Sequence, residues 1–424
     1  MEIKDVLNLS AAILACASLF GWLNVKVLKL PHTIALVVLA LATSLSVLAY
    51  DALVGGLVDD LFREQITSVS FDQTLMIGML SFLLFAGALH VDLGALLSRK
   101  WPILAMATVG VAISTAIVAG ATYLMVGLLG FDIPFIWCLV FGALISPTDP
   151  VAVLSILKTV DVPPALEAKI AGESLFNDGV GVVIFTVLLA IAVGEDAVGS
   201  AHASSMDSLT VVTLFAREII GGVVIGLAGG GIAFYAMRAI DDHNVEVLIT
   251  LALVVSVYAL CLSFHTSGPI AVVIAGLFIG NHGTKLAMTR KTREHVHTFW
   301  SLTDEILNSI LFLLIGFEII VIGIRGDLVT AALLCVPIVL FARFIAVSIP
   351  MLVIGTRQEL TEGAIPVLTW AGLRGGISVA LALSLPEFQG REVVIAMTYG
   401  VVIVSIIVQG LTVERVVRYF VTRR

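Results

Sequence analysis

The chain has 424 residues, 59% hydrophobic and only 13% charged, with a net charge of −8 and a mean hydropathy of +1.10. Soluble domains run nearer half apolar and a quarter charged, so a soluble enzyme, a nucleic-acid binder and a disordered chain are all excluded. The apolar residues come in runs of roughly 20, the length that crosses a bilayer, which predicts an all-α polytopic membrane protein.

Thirteen spans are expected, at about 7–24, 33–50, 73–90, 102–128, 134–157, 164–192, 208–237, 245–264, 266–281, 299–322, 328–354, 364–386 and 393–414. The first lacks a basic leader and a small-residue cleavage site, so it is expected to be retained. Sixteen of the 23 Lys and Arg fall on one set of connections. Five fall on the other: Lys4, Arg63, Arg217, Arg325 and Arg391. Arg343 and Arg374 lie inside spans. Basic loops stay in the cytoplasm, so the C-terminus is expected there and the N-terminus outside, as in a cell-membrane protein. The outer loops are acidic, with Asp51, Asp59, Asp60, Glu64 and Asp72 in one of them. Cys16, Cys138, Cys261 and Cys335 each sit alone in an apolar run, which supports neither a disulfide framework nor a zinc site.

An ionisable group at membrane depth costs several kcal/mol, so each asks for a reason. Asp149 stands in Ser146-Pro147-Thr148-Asp149-Pro150, halfway along an apolar run. Two prolines three residues apart remove backbone donors and forbid a continuous helix. Unwound backbone in a membrane is tolerated only under cover of protein or beside a water cavity, and its freed carbonyls suit a small cation.

In the next span, Glu173 and Asn177 share one stripe, and Ser174 and Asp178 share the adjacent one. Two carboxylates this close cannot both remain ionised without a basic partner. Arg343, mid-span and permanently charged, is assigned to Glu173, which leaves Asp178 to titrate. Asp304, Glu305 and Glu318 lie near span ends, where they can reach the interface or a cavity mouth.

Arg374 lies in Ala371-Gly372-Leu373-Arg374-Gly375-Gly376, where the glycines permit a second interruption. Arg374 either compensates the ends of the interrupted helices or balances the acidic site. Broken segments in corresponding places point to an inverted-repeat transporter. The expected division is 1–192 as one six-span repeat, 208–238 as a linker helix and 245–424 as the second repeat. A channel would share the cavity, but no run resembles a selectivity-filter loop. Intramembrane hydrolysis by Ser174 with Asp178, or Ser267 with His265, lacks a complete nucleophile–base–orienter set, so no enzyme is expected.

Taken together, Thr148-Asp149-Pro150, Glu173-Ser174-x-x-Asn177-Asp178 and Leu373-Arg374-Gly375 resemble the monovalent cation/proton antiporters, in their sodium/proton exchanger (NhaP and NHE type) branch. Supporting stretches are Ser267 to Leu277, Phe299-Trp300 and Asp304 to Asn308. The resemblance implies a homodimer, with spans 1–3 and 8–10 as interface and spans 4–6 and 11–13 as a mobile core. It implies that Asp178 carries either the cation or the proton, with Ser174 offering its hydroxyl, Thr148 its backbone oxygen and Asp149 a water-mediated contact. Asn177 would tie the crossing helices together, and its place before Asp178 marks the branch regarded as electroneutral. Sodium is the expected cation, then lithium, with potassium open and no cofactor. In one respect the chain departs from the pattern: some relatives place a Glu ligand in the third span, where this chain has Ala86.

Overall fold

The computed structural model describes residues 3–54, 78–149, 153, 163–197, 208–322, 325–355 and 363–421. In chain order the helices are α1 (Ile3–Leu23), α2 (His32–Val54), α3 (Leu80–Leu89), α4 (Lys100–Leu128), α5 (Phe135–Ile145), α6 (Pro164–Ala197) and α7 (Ser208–Arg238). They continue with α8 (His243–Phe264), α9 (Gly268–Leu286), α10 (Arg290–Phe317), α11 (Gly326–Gly355), α12 (Ala364–Trp370), α13 (Gly376–Leu383) and α14 (Arg391–Phe420). Among the described residues, ten helices are long and apolar enough to cross a membrane. Shorter helices occupy the other expected spans: α3, α5, and the pair α12 and α13. Of the expected fifth span, the part beyond Asp149 falls outside the described residues except for Val153, and so do the outer acids Asp59, Asp60, Glu64 and Asp72.

Local chemistry sets the helix ends. Asp242 accepts from the Asn244 and Val245 N–H groups and starts α8, which ends at His265 in the left-handed region (φ 51°). Ser267 caps α9 by accepting from the Ile270 N–H, so the His-Thr-Ser-Gly-Pro run is the α8–α9 junction. The span boundaries read from hydropathy shift in two places. Helix α10 begins at Arg290 rather than near 299, because its first turns are charged yet fully compatible with a helix. Lys169, assigned above to a connection, lies inside α6 and is 2% exposed.

The buried apolar side chains form two cores. The larger is built on α4, α5, α11, α13 and α14, with Phe141, Val339, Val347 and Val402 at its centre. The other is built on α3, α7, α8 and α9 around Phe85, Val254, Val272 and Trp300. The Trp300 indole N–H donates to Thr250 Oγ1 (2.9 Å), and its ring lies 4.6 Å from that of Phe85. Helices α6 and α10 supply residues to both cores: Leu175 and Val296 to the second, Val182 and Phe312 to the first. The site lies between these two helices and the cores they join. Close approach of α5 to α4 depends on Gly142, where a Cβ would overlap the Thr115 carbonyl.

Candidate functional site

Helix α5 stops at Ser146, and residues 147–149 run on without helical structure. Pro147 brings no N–H, and carbonyls at the end of α5 lose their helical donors. Arg374 meets them: its Nη1 donates to Ser146 O (2.5 Å) and Pro147 O (2.9 Å). This geometry puts a cation at the negative pole of α5, and the same charge acts on Glu173 and Asp178.

The second interruption separates α12 from α13 at residues 371–375. A polar chain from α14 holds it open. The Arg374 N–H donates to Ser405 Oγ (3.0 Å), Ser405 Oγ to Gln409 Oε1 (2.6 Å), and Gln409 Nε2 to Trp370 O (3.1 Å). Ser405–Gln409 is itself a widened π-type turn, a form that recurs at functional positions.

The two interruptions meet. The Asp149 N–H donates to Leu373 O (2.8 Å), a backbone bond between strands of chain far apart in sequence. The Asp149 carboxylate packs against Gly375, the N-cap of α13, and a Cβ at that position would overlap it. An acid therefore stands at the positive end of α13 while an arginine stands at the negative end of α5. Gly375→Ala is expected to push Asp149 away and to cut transport at least tenfold, about 1.4 kcal/mol of barrier. Initial rates in vesicles check this, with a thermal melt to show that the protein is still folded.

Helix α6 passes behind the crossing. Glu173, Ser174, Asn177 and Asp178 are 1%, 2%, 0% and 5% exposed. Arg343 grips Glu173 with both ends of its fork, Nη1 to Oε1 and Nη2 to Oε2, each at 2.7 Å. Asn177 Nδ2 donates to Glu173 Oε1 (2.7 Å) and to Thr148 Oγ1 (2.8 Å), and Asn177 Oδ1 accepts from the Thr148 N–H (3.2 Å). The amide thus joins the α5 interruption to α6.

A cavity of about 920 Å³ reaches this point, with Thr148, Asp149 and Asp178 on its wall. The Ser174 hydroxyl stands 3.0 Å from Thr148 Oγ1, at the crossing. Ala86 faces the cavity from α3, so the position where some relatives are expected to carry a carboxylate does border the site. His90, Asp92, Glu167, Asp304 and Glu305 also line the cavity, away from the crossing. Asp304 accepts from Asn308 Nδ2 (3.0 Å).

Several residues of the cavity wall, among them Asp92, Glu167 and Ser378, are not among the candidates named from the sequence. Ser378 sits three residues beyond Gly375. A polar residue in the first turn after a predicted helix break was the available signal.

Fold and crossing together define a secondary-transporter architecture: an all-helical membrane chain with two interrupted helices meeting beside buried carboxylates. The chain belongs to the sodium/hydrogen exchanger family, whose signature, described as "Sodium/hydrogen exchanger, transmembrane", matches residues 13–419. Among its relatives, the Na(+)/H(+) antiporter NhaP of Pseudomonas aeruginosa is 46% identical over 418 residues, covering 97% of this chain and 96% of that protein. The Na(+)/H(+) antiporter NhaH of Halobacillus dabanensis is 36% identical over 421 residues, covering 99% and 97%. The structure of the sodium proton antiporter MjNhaP1 from Methanocaldococcus jannaschii at pH 8 shares the fold, with a TM-score of 0.73 at 18% identity and 98% coverage of both chains.

Proposed function

We propose that this protein exchanges one monovalent cation, sodium foremost and lithium as well, for one proton, by competition of the two for Asp178. The observation that carries the reading is a charge count. Around the crossing stand three acids, Asp149, Glu173 and Asp178, against two arginines, Arg343 and Arg374. Glu173 is fully occupied by Arg343 and Asn177. One negative charge is left over, and one proton or one alkali cation neutralises it. The neutral form crosses a low-dielectric barrier at far lower cost than the charged one.

In this scheme Thr148 offers its backbone oxygen and Ser174 its hydroxyl beside Asp178, and Asp149 holds the cation through water. Asn177, Glu173, Arg343 and Arg374 keep the crossing intact. The larger core, on α4, α5, α11, α13 and α14, moves against the smaller one, and two chains pair as a homodimer in the cell membrane. With the basic loops on the cytoplasmic side, this scheme has the cavity, which borders the segment before Arg99 and Lys100, open inward.

Potassium in place of sodium is the second reading. Ala86 leaves the site one carboxylate short, and a weaker field favours the larger, less strongly hydrated ion.

The test is antiport in proteoliposomes with a pH-sensitive dye, against sodium, lithium and potassium, with and without an imposed voltage. The KM for sodium is expected to rise about tenfold per unit fall in pH once the proton dominates the site, with rates insensitive to voltage. A KM that stays constant with pH would sink the competition. Cation flux without proton movement would mark a channel instead.

A further inference from the structure

The cation site as drawn has few oxygens of its own. Thr148 Oγ1 is already bonded to Asn177 and Ser174, and Glu173 is closed off by Arg343. A further hydroxyl on the cavity wall has no such engagement. Ser378 is 1% exposed, lines the same cavity as Asp149 and Asp178, and its Oγ has no hydrogen-bond partner among the described residues.

Gly375 is the N-cap of α13, so Ser378 is the third residue of the helix proper. Side chains tilt toward the start of their helix, and a polar group at the third position normally reaches back to the N-cap N–H. Ser378 makes no such bond. The same end of α13 receives the Asp149 carboxylate, which packs against Gly375, so the unpaired hydroxyl lies within one helical turn of that contact. A buried hydroxyl left unpaired is destabilising, so its presence at this point asks for an occupant.

We propose that Ser378 Oγ is an oxygen ligand of the transported cation, a specificity-determining group on α13. The inference rests on the reading of Asp178 as the carrier. An alkali cation takes hard oxygen donors, and a neutral hydroxyl adds a ligand without changing the charge count that permits one-for-one exchange.

Ser378→Ala and Ser378→Cys, assayed in proteoliposomes beside Asp178→Asn, test it. Both Ser378 variants preserve the packing, and a thiol is a poor ligand for an alkali ion. The KM for sodium is expected to rise about tenfold in both, with maximal rate within about twofold and thermal stability equal to or above wild type. The ratio of sodium to lithium KM should also move. An unchanged KM in both variants overturns the proposal. So does a parallel fall in rate, affinity and stability, which is what a merely structural hydroxyl would produce. If Asp178→Asn is inactive while both Ser378 variants behave as wild type, this inference alone fails. If Asp178→Asn still exchanges, the carrier reading fails and takes the inference with it.

Discussion

Asp178→Asn is expected to abolish cation-coupled proton movement, with initial rates at least a hundredfold below wild type, about 2.7 kcal/mol or more of lost coupling. Asparagine matches aspartate in shape, so the cavity wall and the packing of α6 are preserved. The charge is not. With Asp178 neutral, the two remaining acids balance the two arginines, and the crossing is electrically satisfied without a passenger. Nothing then drives a cation from water into the site, and no proton is released when one arrives. Dye-reported pH change in vesicles measures the loss, and the elution position of the purified protein shows that it still assembles. Near-normal antiport by this variant would refute the assignment.

Glu173→Ala and Arg343→Ala are expected to act on stability first. The pair is almost completely buried, with side-chain exposures of 1% and 7%. Removing either partner strands the other charge where water cannot reach it, a loss of about 3–5 kcal/mol. The damage spreads in different directions. Without Glu173, Asn177 loses an acceptor, and the tie between α6 and the α5 interruption slackens. Without Arg343, the Leu368 carbonyl in α12 loses a donor at 3.1 Å. Thermal melts in detergent read both effects, and the double variant should recover part of the single losses, because no isolated charge remains. A Glu173→Ala protein as heat-stable as wild type would show that the bridge contributes nothing.

Much of this arrangement was legible in the residues. Two prolines around Thr148-Asp149 remove backbone donors and the glycines around Leu373-Arg374 permit a break, and the structure leaves helical geometry at residues 147–149 and 371–375. The stripe from Glu173 to Asp178 follows from helical spacing alone.

Other features depend on how distant segments pack, which periodicity does not encode. The destination of Arg374 is one: its bonds to the Ser146 and Pro147 carbonyls join residues 228 and 227 positions apart in the chain. The contact of Ser174 with Thr148 is another, since helical phase places Ser174 beside Asp178 but says nothing of which distant segment it meets. Lys169 and the charged start of α10 show a further limit. Hydropathy locates where lipid begins, whereas helix ends are set by capping and burial.

The bond from the Asp149 N–H to the Leu373 carbonyl uses no side chain, so it tolerates almost any residue at either place but proline at 149. What it does not tolerate is a change of length. One residue inserted or deleted in either gap would slide one half-helix past the other and unseat the bond, whatever the chemistry of the newcomer.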